Sequence, residues 1–408
     1  MRILIIHNFN LFVGNDAGNN RWRSLVEGLL PNGVEIFWVI TQGYRSTKEL
    51  NKYKKSGKAY GVNYTYISSI LNNSLLQRRI SNYLISPLTV KLVSIRVCKL
   101  IRIIKPDFIW LNQDLNIFKV YFNFKYYPPK KPKLLIELSE FDEIGLTHAA
   151  NRLQIKQAKE YSNVLLYRLL PKVDGLIVMT KVLLEYYKPF TSASKSAFLH
   201  LPMTVDFRRF EKTDKKQDTG KYIAYCGSPS FSKDGVDILI KSCVKIFKTY
   251  PDLILKIAGP IEDDSRRMFN LIAEVDLTDK IHYIGEISRD EIPNFLNSAY
   301  LLALPRPQSK QAEGGFPTKL GEYLASSVPV CVTRVGEIPN YLEDEINAFV
   351  AEPGSVDSFA NAMFRALSDR AKAISVGLAG KQVAEINFNM ELQGKTLFKF
   401  LETILKKD

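Results

Sequence analysis

The residues of this 408-residue chain best suited to chemistry lie in two blocks, Lys233-Asp234-Gly235 and Glu313-Gly314-Gly315-Phe316-Pro317-Thr318-Lys319-Leu320-Gly321-Glu322-Tyr323-Leu324-Ala325. Lys233 follows the apolar run 222–226 and the turn Gly227-Ser228-Pro229-Ser230, and it precedes the apolar-periodic stretch 236–247. It therefore stands where a strand end meets a helix start, and its compact ammonium can neutralise a diphosphate there. A solvated loop lysine is the alternative. In the second block two glycines allow close backbone approach, and Pro317 suits the first helical position. Thr318, Lys319 and the free N–H groups of that helix start form an anion cradle. Glu322, on the same helix, is an acceptor-only carboxylate able to hold a vicinal diol such as a ribose. Its alternative is a solvated pair with Lys319 at helical spacing. Arg306, in Leu304-Pro305-Arg306-Pro307, adds a cation at a strand end and equally fits an ordinary surface arginine.

Other candidates lie in the first half. The loop Gly14-Asn15-Asp16-Ala17-Gly18-Asn19 opens a helix after the first apolar run; a helix start suits an anion, and a plain strand-to-helix connection is the equal alternative. Glu137, Glu140, Asp142 and Glu143 follow another apolar run and suit an acceptor hydroxyl, or simply form a solvated acidic loop. His282 sits inside a strand pattern and is expected to be packed; His7, His148 and His200 lie near strand or loop ends. No carboxylate pair can be assigned to hydrolysis from sequence, because the separation of two carboxyls is a structural quantity. Neither half has G-x-G-x-x-G after its opening strand, which removes the nicotinamide oxidoreductase. Cys98, Cys226, Cys243 and Cys331 lack C-x-x-C spacing, so neither zinc nor a disulfide framework is expected, and no Asp/Glu or His set is spaced for a divalent ion.

Short apolar runs alternating with longer helical patterns must position these residues, the signature of parallel sheets covered by helices. Strands are expected at 3–6, 35–41, 108–112, 134–138 and 175–179, then at 222–226, 253–257, 281–284, 301–304 and 329–333. Helices are expected near 20–30, 88–104, 153–170 and 181–187. The polar stretch 206–220 reads as a linker. The expected fold class is α/β: two Rossmann-like, doubly wound domains facing each other across a cleft, where open sheets bind ligands at their carboxyl ends. The boundaries are 1–205, 206–384 and a terminal segment, 385–408.

With 46% hydrophobic and 24% charged residues the chain can bury a large core, which excludes a disordered tail. Its apolar runs are far shorter than the ~18 to 20 residues of a spanning helix. The opening Met1-Arg2-Ile3-Leu4-Ile5-Ile6 reads as a buried strand, not a leader, so a cytoplasmic location is expected. Residues 1–200 hold 29 Lys and Arg against 13 Asp and Glu, a net of +16, whereas 201–408 hold 27 against 29. Between Glu49 and Asp107 there is no acid at all. Such a one-sign segment suits an anionic lipid surface, and no nucleic-acid partner is expected. On the helix expected over 88–105, Lys91, Arg102 and Lys105 fall on one side, flanked by Lys99, and Val93, Val97, Leu100 and Ile104 on another. Mixed apolar and basic residues at 75–80 and 83–85 add to this patch.

The ordered blocks Gly227…Lys233-Asp234-Gly235, Ile257-Ala258-Gly259-Pro260, Tyr283-Ile284-Gly285-Glu286-Ile287, Leu304-Pro305-Arg306, the 315–325 block and Val328-Pro329-Val330 resemble the C-terminal half of family 4 glycosyltransferases over about 160 residues. Lys105-Pro106-Asp107, Glu137-Leu138-Ser139-Glu140 and 173–178 match more loosely. The resemblance implies a GT-B fold and a terminal helix near 390–405 that returns to the first domain. It implies a UDP- or GDP-linked sugar held mainly by the second domain, and transfer to an acceptor hydroxyl with retention of configuration, without a cofactor or bound metal. It implies a glycan or lipid-linked glycan acceptor on the first domain, on which Gly14, Asn15, Gly18, Asn19, Glu137 and Glu140 are the candidates, and peripheral residence on the inner face of the cytoplasmic membrane in bacterial cell-surface polysaccharide or lipopolysaccharide assembly. It leaves the oligomeric state open. Lys233, Arg306 and Lys319 would stabilise the leaving diphosphate. Gly227, Ser228, Gly285, Glu286, Ile287, Gly315, Phe316, Pro317, Thr318 and Glu322 would line the donor.

Two departures stand out. The first glutamate of the family's E-x7-E motif falls on Gly314, Glu313 being one residue early, and the arginine that follows the glycine of the first strand in the family is here Ser228. Arg306 is the candidate replacement cation. The missing glutamate motivates an alternative, a nucleotide-binding pseudo-transferase subunit without catalysis; a sugar-nucleotide epimerase or a glycan phosphorylase would share the architecture.

Overall fold

The computed structural model describes residues 1–13, 17–68, 71, 87–124, 131–147, 149, 151–192, 195–211, 221–261 and 263–406. The chain divides into two compact units, Met1–Leu201 with Gln393–Asp408, and Pro202–Leu392. Residues 206–211 of the polar stretch read as a linker belong to the second unit, and 212–220 lie outside the described residues.

In the first unit, eight strands among the described residues form one sheet: β1 Arg2–His7, β2 Glu35–Ile40, β3 Ser56–Ala59, β4 Val62–Tyr66, β5 Phe108–Leu111, β6 Lys133–Leu138, β7 Gly175–Val178 and β8 Ala197–His200. Their order is β3-β4-β2-β1-β5-β6-β7-β8. All pairs are parallel except β3 with β4. The interior positions of the central strands are apolar, apart from Glu137 in β6, because helices cover both faces. Leu4, Ile6, Ile109, Leu111, Ile136 and Val178 enter one core, and Ile3, Ile5, Phe108, Trp110, Leu135 and Ile177 the other, as the two-residue period of a strand requires.

The helix Ala17–Leu29 covers the second of these cores with Trp22, Leu25, Val26 and Leu29, and the helix Met390–Leu405 adds Leu397, Leu401 and Ile404 there. The helix Pro87–Ile104 covers the first, through Val90, Val97, Cys98 and Ile101, with Val93, Leu100 and Ile104 partly buried against it. The expected apolar side of that helix is thus core.

His7, at the end of β1, is buried among Phe9, Trp22 and Trp38, and its Nδ1 accepts the Phe9 N–H at 3.0 Å. Burial pushes its pKa from 6.5 down to about 3. The native state therefore binds fewer protons than the unfolded one between these values, so this contribution is complete above 6.5 and is lost as the pH falls toward 3. Its loss weakens the first unit by up to about 5 kcal/mol. A His7→Gln variant should show a flatter fall of unfolding free energy between pH 6.5 and 4 than the parent; parallel curves would contradict this.

The second unit holds β9 Tyr222–Cys226, β10 Ile254–Ala258, β11 Ile281–Gly285, β12 Leu301–Leu304, β13 Val330–Thr333 and β14 Phe349–Ala351, all parallel, in the order β11-β10-β9-β12-β13-β14. The order reverses between β9 and β12, and the crevice at the carboxyl ends of two such strands is where an open sheet takes a ligand. Strand β11 is the edge, so His282 is exposed rather than packed as its strand pattern suggests, with Nε2 3.3 Å from the Asp279 carbonyl oxygen. The four cysteines are free thiols, and burial, with Glu322 nearby, pushes Cys226 up to about 12.

Candidate donor-side site

The loops after β9 and β12 meet at this switch point. Beyond β9, Gly227 has φ 147°, and a side chain there would begin 2.5 Å from the Lys319 Nζ. Ser230 accepts the Lys233 N–H at 3.2 Å and starts a single turn, Phe231–Asp234, closed by Gly235 at φ 70°. A Cβ on Gly235 would stand 2.1 Å from the Pro305 carbonyl oxygen, so the backbone of one loop lies directly on the other. Lys233 is exposed on this turn.

Asp234, beside it, is 2% exposed and organises the cluster. Its Oδ2 accepts from the Lys319 Nζ at 2.7 Å and from the Tyr225 hydroxyl at 3.1 Å, while Lys319 also donates to that hydroxyl at 2.9 Å. Oδ1 is buried with no hydrogen-bond partner among the described residues. Burial raises the Asp234 carboxyl, but Lys319, Arg306 and Lys233 outweigh it and hold it below the ordinary carboxylate value. Three cations thus act on one carboxylate. Arg306 is 3% exposed, not an ordinary surface arginine; its Nη2 donates to the Gln311 carbonyl at 3.2 Å, and its own carbonyl accepts from the Thr333 hydroxyl.

The helix Thr318–Ala325 begins one residue later than expected: Pro317, with φ −70° and ψ 109°, is the residue before the first turn, and no side chain caps that end. Phe316 is buried against Tyr341 and Phe388, which fixes the entry into the turn. Gly315 is buried and Thr318 half-buried. Glu322 pairs with Arg209, whose Nη2 also donates to the Arg289 carbonyl at 2.6 Å. The helical-spacing pair of Glu322 with Lys319 is not formed, because Asp234 holds Lys319.

Gly314 is buried at the end of the short helix Lys310–Gly314, and Glu313 is exposed, accepting from the Gln308 Nε2 at 3.0 Å. Gly285 ends β11 at φ 79°; Glu286 is exposed and Ile287 half-buried beyond it. The structure thus groups Lys233, Arg306 and Lys319 around Asp234, with Gly227 against the Lys319 ammonium. Glu322 stands close enough for its charge, with those of Lys319 and Arg209, to be felt at Cys226.

In the first unit, Gly14 and Asn15 lie outside the described residues, as does His148. Gly18 is exposed; Asn19 is buried and donates to the Val13 carbonyl at 2.8 Å. Glu137 is not an available carboxylate: it is buried against Arg21 at 3.3 Å, and the Gln113 Nε2 stands 3.4 Å from its other oxygen. Arg21 donates further to the Leu201 carbonyl at 2.7 Å. Burial raises the Glu137 carboxyl and lowers Arg21, each opposed by the other's charge. Glu140 is half-buried, and its carbonyl accepts from the Tyr187 hydroxyl at 3.0 Å.

Asp234, Tyr225 and Arg209 were not singled out from the sequence. Asp234 was visible between a lysine and a glycine, but its pairing with Lys319 crosses 85 residues and has no local spacing. Arg209 lies inside the polar stretch 206–220 that reads as a linker.

Solved structures define the fold class. Sucrose-phosphate synthase from Thermosynechococcus elongatus superposes with a TM-score of 0.75 at 15% identity over 100% of both chains. Anabaena Alr3699/HepE, solved with UDP-glucose, does so with 0.69 at 14% identity, over 99% of this chain and 100% of that one. The fold is GT-B, with two Rossmann-like α/β domains. The family model described as glycosyl transferases group 1 matches residues 206–383, which lie within the second unit.

Among curated proteins, the amylovoran biosynthesis glycosyltransferase AmsK of Erwinia amylovora is 25% identical over 173 residues, 42% of each chain. The GDP-mannose-dependent alpha-(1-6)-phosphatidylinositol monomannoside mannosyltransferase of Mycolicibacterium smegmatis is 26% identical over 219 residues, 50% of this chain and 56% of that protein. The chain spans about half the length of the curated relatives it matches.

Proposed function

We propose that the protein is a retaining glycosyltransferase of the family 4 type, moving a sugar from a UDP- or GDP-linked donor to a hydroxyl of a glycan or lipid-linked glycan. The observation that carries this reading is the grouping of Lys233, Arg306 and Lys319 around Asp234 at the β9–β12 switch point, inside the domain that the family model covers. The leaving group is a nucleoside diphosphate, so the reaction needs cations and N–H dipoles where negative charge grows more than it needs a strong acid. The bond between the sugar C1 and the β-phosphate oxygen breaks, the acceptor oxygen bonds to C1 from the same face, and the acceptor proton passes to a phosphate oxygen of the departing diphosphate.

Arg306 supplies the charge that Ser228 lacks, and Lys233 reaches the diphosphate from its exposed turn. In this reading Glu322 holds the ribose while Arg209 orients its carboxylate, and Gly285, Glu286 and Ile287 line the sugar side. Acceptors in surface polysaccharide or glycolipid assembly are supported by the names of the relatives, an amylovoran enzyme and a phosphatidylinositol mannoside enzyme. Residence at the inner face of the cytoplasmic membrane belongs to the same proposal.

A panel of UDP- and GDP-sugars in a thermal-shift assay tests it: one base should raise the unfolding temperature of the second unit, because a ligand that binds only the native state stabilises it by mass action. No shift with any member would remove the basis of the reading. Turnover should persist in a chelator; loss of activity restored by magnesium or manganese would overturn the metal-independent form of the proposal.

A further inference from the structure

On the helix Pro87–Ile104, Val90, Val97, Cys98 and Ile101 are core, and the opposite face is not polar. Leu88 is 64% exposed, Leu92 50%, Ile95 46% and Ile103 76%, and Lys91, Arg96, Lys99 and Arg102 are exposed with them. At 3.6 residues per turn these eight positions fall within one continuous face, the aliphatic residues interleaved with the cations. No acid lies on the helix, nor anywhere between Glu49 and Asp107. A helix that serves only as a cover for a sheet keeps its outer face polar; here four aliphatic side chains the core does not use share that face with four cations.

We propose that this outer face seats the first unit on an anionic bilayer, the helix lying in the surface plane with Leu88, Leu92, Ile95 and Ile103 at the acyl boundary and Lys91, Lys99 and Arg102 among the lipid phosphates. Apolar residues between cations on one side of a helix suit a headgroup layer, which offers hydrocarbon and phosphate at adjacent depths. A second copy of this chain does not fit, because a two-fold contact would set these cations against their own counterparts. The inference extends the membrane residence of the proposed function by naming the face that mediates it, and nucleotide binding by the second unit does not depend on it.

The test is co-sedimentation of the full chain with phosphatidylcholine vesicles, with and without phosphatidylglycerol, at low and high salt. Two variants accompany the parent, Lys91→Gln/Lys99→Gln/Arg102→Gln and Leu92→Ser/Ile95→Ser/Ile103→Ser; all six sites are exposed, and unchanged circular dichroism and thermal unfolding confirm the fold. The parent should bind only the anionic vesicles and be released by salt. The basic variant should lose binding by about fivefold for each cation removed, and the aliphatic variant should fall to the level of neutral vesicles. Binding unaltered in the aliphatic variant would reduce the face to a general polyanion site and overturn the proposal, as would equal binding to both vesicles or to neither. The thermal shift with nucleotide sugars, read on the same variants, should match the parent; failure of that shift in the parent as well counts against the donor reading and leaves the docking result standing.

Discussion

Replacing Asp234 by alanine should destabilise the second unit by roughly 3 kcal/mol, the lower end of what the loss of one partner from a buried ion pair costs. The low end applies because Lys319 keeps 18% side-chain exposure while Asp234 keeps 2%, so the stranded ammonium regains some water. The Tyr225 hydroxyl loses an acceptor in the same step. The double variant Asp234→Asn/Lys319→Met should recover most of that loss, since removing both charges leaves no uncompensated ion, yet it should not recover nucleotide-diphosphate affinity. That split separates a role in binding from mere packing. Denaturant unfolding followed by a probe in the second unit reads the first quantity and titration calorimetry the second. A single-variant loss below about 0.5 kcal/mol, the range of ordinary surface substitutions, would show that the pair does not organise the loops.

The second large effect is on affinity. Lys233→Ala should weaken nucleoside diphosphate binding by about 2 kcal/mol or more if the charge becomes desolvated against the phosphate, a drop of roughly thirtyfold or more. Glu322→Ala should weaken nucleotide and nucleoside alike, because a ribose contact does not depend on the phosphates, whereas Lys233→Ala should spare the nucleoside. Arg209 complicates the Glu322 site: with the carboxylate gone its guanidinium still donates to the Arg289 carbonyl and lies over the Phe210 ring, but loses its counter-charge. The pair Glu322→Gln and Glu322→Ala therefore tells a hydrogen-bonding role from a counter-charge role, glutamine retaining an acceptor without the charge. Unchanged affinity in both Lys233→Ala and Glu322→Ala would remove these residues from the donor site.

The two doubly wound halves were legible because their central strands are buried on both faces and read as apolar runs with no alternation to confuse them. Of the ten strands expected, all are present, with no end shifted by more than one residue. Missed were β3, β4, β8 and β14. All four stand at or beside sheet edges, where strands such as Ser56–Ala59 and Ala197–His200 carry too few core residues to signal themselves. The site was legible in its parts, since Lys233, Arg306 and Lys319 follow strand ends or helix starts that periodicity already located. What periodicity cannot carry is tertiary pairing. Helical spacing pointed Lys319 at Glu322; the fold instead brings each to a partner on another loop, Asp234 and Arg209. The same limit hid Arg21, which makes Glu137 half of a buried ion pair.

The central claim is transfer from a nucleotide sugar. Its most direct measurement is release of nucleoside diphosphate from each of a set of UDP- and GDP-sugars, with and without a membrane-lipid extract carrying glycan acceptors, with the anomeric configuration of the product read by NMR. The account predicts release from one donor, dependent on the extract, and a product that keeps the donor's anomeric configuration. A chain that binds one nucleotide tightly and releases no diphosphate with any acceptor, or a product of inverted configuration, would contradict it.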